Sequence, residues 1–165
     1  MLVLGVDPGT AITGYGLVRE EEDGLTLVDY GVITTPAGQP LPKRLQTIYH
    51  GLADVARKHQ PQQAAVEELF FSRNVRTALS VGHARGVALL ALVDAGLAIH
   101  EYKPLEIKQA ITGYGGADKQ QVQEMVRLLL NLDHVPQPDD AADAVAVAVC
   151  HIHSARMTAL IEDAG

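Results

Sequence analysis

The apolar residues of this chain change their period once, and that change constrains the fold more than any other feature. Residues 2–34 run in short stretches of Val, Leu, Ile, Thr and Tyr punctuated by Gly, the make-up of half-buried strands. Three strands are expected there, over 2–6, 14–19 and 25–34, with the acidic run Glu20, Glu21, Glu22 and Asp23 as a solvated hairpin tip. After Pro42 the apolar positions Leu45, Ile48, Tyr49, Leu52, Val55 and Ala56 fall at helical spacing until Pro61, so the local preference has switched from strand to helix. A strand over 64–66 follows, and then a long helix over 75–95 that Asn74 can cap and Gly96 can close.

The rest of the chain continues the alternation. A strand over 97–102 and a short helix over 104–111 lead into a Gly-rich loop over 112–116, expected to be mobile, and an amphipathic helix over 119–130. The last element starts at Asp140 and is expected to reach about Arg156. Residues 144–149 alternate Ala with Val, which period alone would allow as a strand. Alanine content, length and the acidic start favour a helix that is apolar on most sides and therefore buried. The order βββαβαβααα predicts an α/β fold, a five-stranded mixed sheet flanked by helices on both faces. With 165 residues a single domain is expected over 1–158, followed by a short tail over 159–165.

One cysteine, Cys150, excludes an intrachain disulfide framework and a cysteine-rich zinc site. No apolar run is expected to reach the ~20 residues of a membrane span, and no basic, apolar leader is seen; a cytoplasmic location without a membrane is the expectation. The net charge of −7 argues against a protein held to nucleic acid by bulk charge. Its distribution matters more. Setting aside the acidic tip and four candidate metal ligands leaves twelve acids against thirteen bases, and between Arg73 and Lys119 six bases face four acids.

The candidate chemistry is carried by carboxylates. Asp7 follows the first strand in Gly5-Val6-Asp7-Pro8-Gly9, and Glu67 follows the fourth in Ala64-Ala65-Val66-Glu67. Ligands of open α/β sheets bind at the carboxyl ends of the strands, so the repetition is informative. In Asp139-Asp140-Ala141-Ala142-Asp143, Asp143 shares a helix face with either Asp139 or Asp140, and spacing does not choose. Capping of the helix explains Asp139 and part of Asp140. It explains Asp143 poorly, because an apolar helix buries its surroundings and a buried carboxylate there needs a cation or hydrogen bonds. Acids gathered in one cleft repel unless cations join them. An oxygen-only donor set suits Mg²⁺, with Mn²⁺ able to substitute. Two such ions ~4 Å apart can clamp an in-line phosphoryl displacement, which makes phosphodiester hydrolysis the natural reaction class.

Four sequence blocks carry a resemblance. Gly5-Val6-Asp7-Pro8-Gly9 with Thr13-Gly14-Tyr15-Gly16, Val66-Glu67-Glu68-Leu69-Phe70 followed by Asn74, Lys108-Gln109-Ala110 with Ala117-Asp118-Lys119-Gln120-Gln121-Val122, and Asp140-Ala141-Ala142-Asp143-Ala144 resemble, in order, the RuvC Holliday-junction resolvases of ribonuclease-H-like fold. The resemblance implies that Asp7, Glu67, Asp140 and Asp143 bind two metal ions, selecting Asp140 over Asp139. It also implies a homodimer that nicks two strands of like polarity in four-way junction DNA, leaving 5′-phosphate and 3′-hydroxyl ends. By the same resemblance its partners include the RuvA and RuvB branch-migration proteins, and its roles are homologous recombination and DNA repair.

The DNA face follows from the same match. Phe70 and Phe71 are the two phenylalanines. The resemblance gives Phe70 the role of stacking on a base opened at the junction, worth ~1–3 kcal/mol per base. Lys108 and Lys119 match family lysines near the scissile phosphate; by position alone they read as solvated helix residues. Arg73 and Arg76 flank the Phe pair and are candidate phosphate contacts. His151 and His153 lie two apart, on different helix faces, and read as ordinary surface or core residues. Gly82 and Gly86 with Ala78 and Leu89 make a small-residue face on the long helix, suited to close approach in a dimer and equally to packing within the monomer. Two other functions fit the fold: a related nuclease acting on RNA or another branched DNA, and a junction-binding protein without catalysis. An actin-like ATPase needs two lobes, and this length supplies one.

Overall fold

The computed structural model describes residues 1–68 and 74–165. Strands β1 (Leu2–Asp7), β2 (Ile12–Glu21) and β3 (Gly24–Thr34) form an antiparallel meander. Helix α1 (Leu41–His59) leads to β4 (Gln63–Glu67), α2 (Val75–Asp94) to β5 (Ala98–Tyr102), and α3 (Pro104–Thr112), α4 (Lys119–Leu129) and α5 (Asp139–Asp163) complete the chain. The five strands lie in the order β3-β2-β1-β4-β5, with β4 parallel to β1 and β5 parallel to β4. This is the expected mixed sheet and the expected order of elements. The hairpin tip is tighter than expected. β2 stays paired through Glu21 opposite Gly24, leaving Glu22 and Asp23 as the turn.

Side-chain alternation along the strands divides the core in two. On one face Leu2, Leu4 and Val6 of β1 join Leu17, Ala64 and Val66 against α1 and α2, where Ile48, Leu52, Ala88 and Leu92 are buried. On the other, Val3, Val18 and Ala65 pack against Val145, Val149 and Ile152 of α5, with Ile107 of α3 and Val126 of α4 beyond. Asp7 shares the parity of Val3 and Gly5, and Glu67 shares that of Ala65, which lies beside Gly5 across the parallel pair. Both acids are therefore on the α5 side, at the same ends of neighbouring strands.

Helix α5 lies close on the sheet because glycines floor it. Gly5 and Gly16 are paired across β1 and β2, and Gly14 is paired with Asp7. A Cβ on Gly5 would stand 2.0 Å from the Ala144 carbonyl oxygen, and one on Gly14 1.9 Å from that of Asp140. At Gly16 it would meet the Val145 side chain at 2.5 Å. Alanines 141, 144 and 148 give the helix a matching small face, and all three are buried. Backbone-to-backbone approach of this kind needs residues without a side chain.

Two expectations change. The last element is one helix, and it does not stop near Arg156. It runs to Asp163, so residues 159–163 are helical. Its final turns, rich in good helix formers, extend beyond the sheet with Met157, Leu160 and Ile161 exposed, and Arg156 is tied to Glu20 of β2. A segment long and apolar enough for a membrane span does exist among the described residues: α5 itself. Its apolarity is that of a core helix, since Val145, Val147, Val149 and Ile152 are buried within the protein. Local contacts set the start of the 112–116 loop. Gly113 closes α3 in the left-handed region (φ 73°), and the Thr112 hydroxyl donates to Lys108 O at 2.7 Å and accepts from the Tyr114 N–H at 3.1 Å.

Candidate active site

Each acid is placed by backbone that is itself pinned. After β1 the chain turns at Asp7-Pro8-Gly9, where the Thr13 hydroxyl donates to Gly9 O at 2.7 Å and accepts from Gly9 N–H at 3.2 Å. The Thr10 hydroxyl then donates to Ser80 O of α2 at 2.8 Å. At the end of β4 the Arg85 guanidinium donates to the Glu67 carbonyl oxygen and pairs with Glu101 of β5, which accounts for one base of the central basic stretch. Asp140 sits in the first turn of α5 with its backbone over Gly14, the partner of Asp7. Asp143 follows one turn later on the face toward the sheet end.

These carboxyls act on one another's charge. Burial, then Asp143, Asp140 and Glu67 in turn, push the Asp7 carboxyl up to about 8, with Lys119 opposing. Burial and Asp143 raise Glu67 above the ordinary carboxylate range, while Lys119, Lys108 and Arg85 pull it back. Burial raises Asp143 too, against the pull of Lys119. Carboxyls held up by burial and by one another lack a positive charge, the condition a divalent cation relieves.

A cleft of about 240 Å³ opens beside them, lined by Glu67, Asp143, Lys108, Lys119 and Gln123 among others. Asp143 keeps a third of its side chain exposed there (33%), less buried than its apolar helix suggested. The Lys119 ammonium stands 3.3 Å from Asp143 and 3.3 Å from Asp139. Burial disfavours that charge, but Asp143 and Asp139 outweigh it and hold the Lys119 pKa above its ordinary value. Among the described residues no three carboxylate, imidazole or thiol groups stand as ready ligands around one point. The acids share one electrostatic pocket and do not form a closed cage. Their chemistry, oxygen donors only and short of positive charge, fits Mg²⁺ or Mn²⁺.

The two acids at the start of α5 differ in where their carboxylates go, although both act on Asp143. Pro138 is the N-cap and no side chain makes a cap hydrogen bond, while Asp139 and Asp140 both stand in the first turn, where the helix dipole favours acids. Asp139 turns to α4, accepting from the Gln123 amide at 3.3 Å and pairing with Lys119. Asp140 is the member of the pair whose charge reaches Asp7.

The other candidates scatter more widely. Lys108 and Lys119 stand at the cleft. Arg76 is exposed in the first turn of α2, behind an Asn74 cap that accepts from the Arg76 N–H at 3.1 Å. Phe70, Phe71 and Arg73 lie outside the described residues. His151 is not a surface residue but a buried one, accepting from or donating to Tyr102 at 2.7 Å and hydrogen bonded to Gln63. Burial pushes the Cys150 thiol up to about 12, which leaves it unreactive as a nucleophile. Sequence reasoning assigned no role to Gln123 or Arg85 and read Gly14 only as part of a motif. The one signal for Gly14 was glycine at alternate positions of a strand paired with glycine on its neighbour.

Residues 3–151 match the family described as crossover junction endodeoxyribonuclease RuvC. The proteins of that name from Chloroflexus aurantiacus and Desulfitobacterium hafniense are 59% and 55% identical to this chain over 155 and 157 residues, covering 94% and 95% of each partner. The structure superposes on Thermus thermophilus RuvC in complex with Holliday junction substrate with a TM-score of 0.91 and 37% identity over 96% of both chains. With its ribonuclease-H-like fold, this chain belongs to the crossover junction endodeoxyribonuclease RuvC family.

Proposed function

We propose that this chain resolves Holliday junctions in recombination and repair by paired, symmetric hydrolysis of phosphodiester bonds, leaving 5′-phosphate and 3′-hydroxyl ends. The observation that carries the reading is the mutual charge of Asp7, Glu67, Asp140 and Asp143 at one end of β1, β4 and α5, in a chain that matches its relatives from end to end of the family region. These four acids are the residues that would hold two Mg²⁺ ions, or Mn²⁺ in their place. When bound, the ions supply positive charge that offsets the charge developing on the attacking and leaving oxygens.

The chain's own groups do the rest. Asp7 is the acid that burial and its neighbours push furthest toward neutrality, so it is the one whose charged form bound cations would favour most. Lys108 and Lys119 reach the cleft from α3 and α4 and meet the non-bridging oxygens of the scissile and neighbouring phosphates. Phe70 stacks on an opened base, and Arg73 and Arg76 hold flanking phosphates. Residues 1–158 act as one nuclease domain in the cytoplasm, with RuvA and RuvB as partners.

A homodimer is supported by α2. Val75, Leu79, Leu90 and Val93 are all exposed along one face of that helix, with Gly82 and Gly86 between them. An apolar stripe of this length is suited to a second copy, and two-fold symmetry suits two symmetric nicks. The test is a panel of four-way junction, linear duplex, fork and RNA–DNA hybrid, each with Mg²⁺ or EDTA. Paired nicks confined to the junction with Mg²⁺, and binding without cutting in EDTA, are expected. Junction binding with no cutting under any divalent ion would make this a non-catalytic binder, and preferred cutting of the hybrid would make it a ribonuclease.

A further inference from the structure

Asp139 is not one of the four acids, yet it is tied to the site through a single side chain. Its two carboxylate oxygens are divided between partners on α4: Oδ1 accepts from the Gln123 amide at 3.3 Å and Oδ2 faces the Lys119 ammonium at 3.3 Å. The same ammonium faces Asp143 Oδ2 at 3.3 Å. One lysine is thus shared between an acid whose charge reaches Asp7 and an acid whose charge does not. Gln123, from the next turn of α4, gives the second acid a further partner on that helix.

We infer that Asp139 is a positioning residue: it retains Lys119 at the cleft while divalent cations take the Asp143 carboxylate, so that the lysine does not compete with them for Asp143. The inference rests on the two-cation reading of the site above. A cation at Asp143 and the Lys119 ammonium carry like charge and seek the same oxygen. Without Asp139 the ammonium has Asp143 as its remaining acidic partner, and cation entry must first break that pair. With Asp139 present the lysine keeps a counter-ion on α4's side, within reach of the cleft where phosphate oxygens arrive. Asp139 acts through Lys119 and needs no contact with the cations or the DNA.

Mn²⁺ binding to the full-length chain, followed by calorimetry and by the electron paramagnetic resonance of the free ion, tests this without any cleavage assay. Asp139→Asn should weaken Mn²⁺ binding about three- to fivefold, the scale of one part-exposed ion pair. In a Lys119→Met background the same substitution should change it less than about twofold, because the interaction it removes is already gone. Asp139→Glu should restore most of the loss in the native background. An equal loss in both backgrounds would reduce Asp139 to a general contributor of negative charge and overturn the inference. So would no loss in either, or a loss as large as that of Asp143→Asn, which would make Asp139 a ligand. Failure of the wild-type chain to bind Mn²⁺ at Asp143 would overturn the two-cation reading together with it.

Discussion

Asp7 is under the greatest electrostatic stress in the molecule's active cleft. Its folded pKa of about 8 lies far above the ~3.9 of an unfolded aspartate. The sign follows directly: between those values the folded chain binds more protons than the unfolded one, so the group's contribution to stability declines as pH rises toward 8. Above that pH the metal-free protein carries a buried charge among like charges. Asp7→Asn should therefore abolish junction cutting and yet raise the melting temperature in EDTA at pH 8.5, by ~2–4 °C for each kcal/mol relieved. A lower melting temperature for Asp7→Asn would mean that the carboxylate stabilises the fold. The positions of Asp7 and Glu67 were legible in the sequence because Pro8-Gly9 turns the chain after the first and a short apolar run stops at the second. The choice between Asp139 and Asp140 was not legible by spacing, since both lie a helical turn from Asp143. It depends on which of them sits over Gly14 and which meets Lys119, contacts set by elements far apart along the chain.

Helix α5 brings the two halves of the site together, and its placement depends on what the strands lack. Gly14 lets the first turn of α5 rest on the strand beside Asp7. Gly14→Ala would drive a methyl into the Asp140 carbonyl, which cannot yield as a flexible side chain could. The first turn must lift, carrying Asp140 and Asp143 with it. Cutting should fall by at least tenfold, with a loss of ~1–3 kcal/mol in chemical denaturation, the scale of overpacking. Wild-type activity in Gly14→Ala would show that α5 need not lie so close. The sequence revealed α5 as a buried helix through its alanines and its length. It misjudged where the helix ends because the last turns are held by helix propensity and by the Arg156–Glu20 pair rather than by a core pattern. It also took α5 for something short of a membrane span, when a helix buried on most sides meets the same length and apolarity.

The halves of the molecule are also joined by a buried polar cluster. His151 of α5 is hydrogen bonded to Gln63 of β4 and Tyr102 of β5, and the His100 ring stacks on it with centroids 4.3 Å apart. Burial first, and His100 second, push the His151 pKa down to about 4. The unfolded histidine titrates near ~6.5, so the unfolded chain binds the extra proton between those values. Stability from this group is whole above pH 6.5 and is lost as pH falls toward 4, with a slope approaching ~1.4 kcal/mol per pH unit. His151→Gln should flatten that part of the profile in urea denaturation; an unchanged profile would assign the acid sensitivity to other groups. No periodicity could have shown this cluster, because its members come from three elements and meet only through the sheet order.

The proposed chemistry requires acidic side chains from β1, β4 and α5 to answer to the same cations. Anomalous diffraction from a crystal soaked in MnCl₂ tests this most directly. Manganese density among the oxygens of Asp7, Glu67, Asp140 and Asp143, absent from an Asp143→Asn crystal soaked alike, is the predicted result. Manganese bound elsewhere, or none beside these acids at millimolar soak, would contradict it.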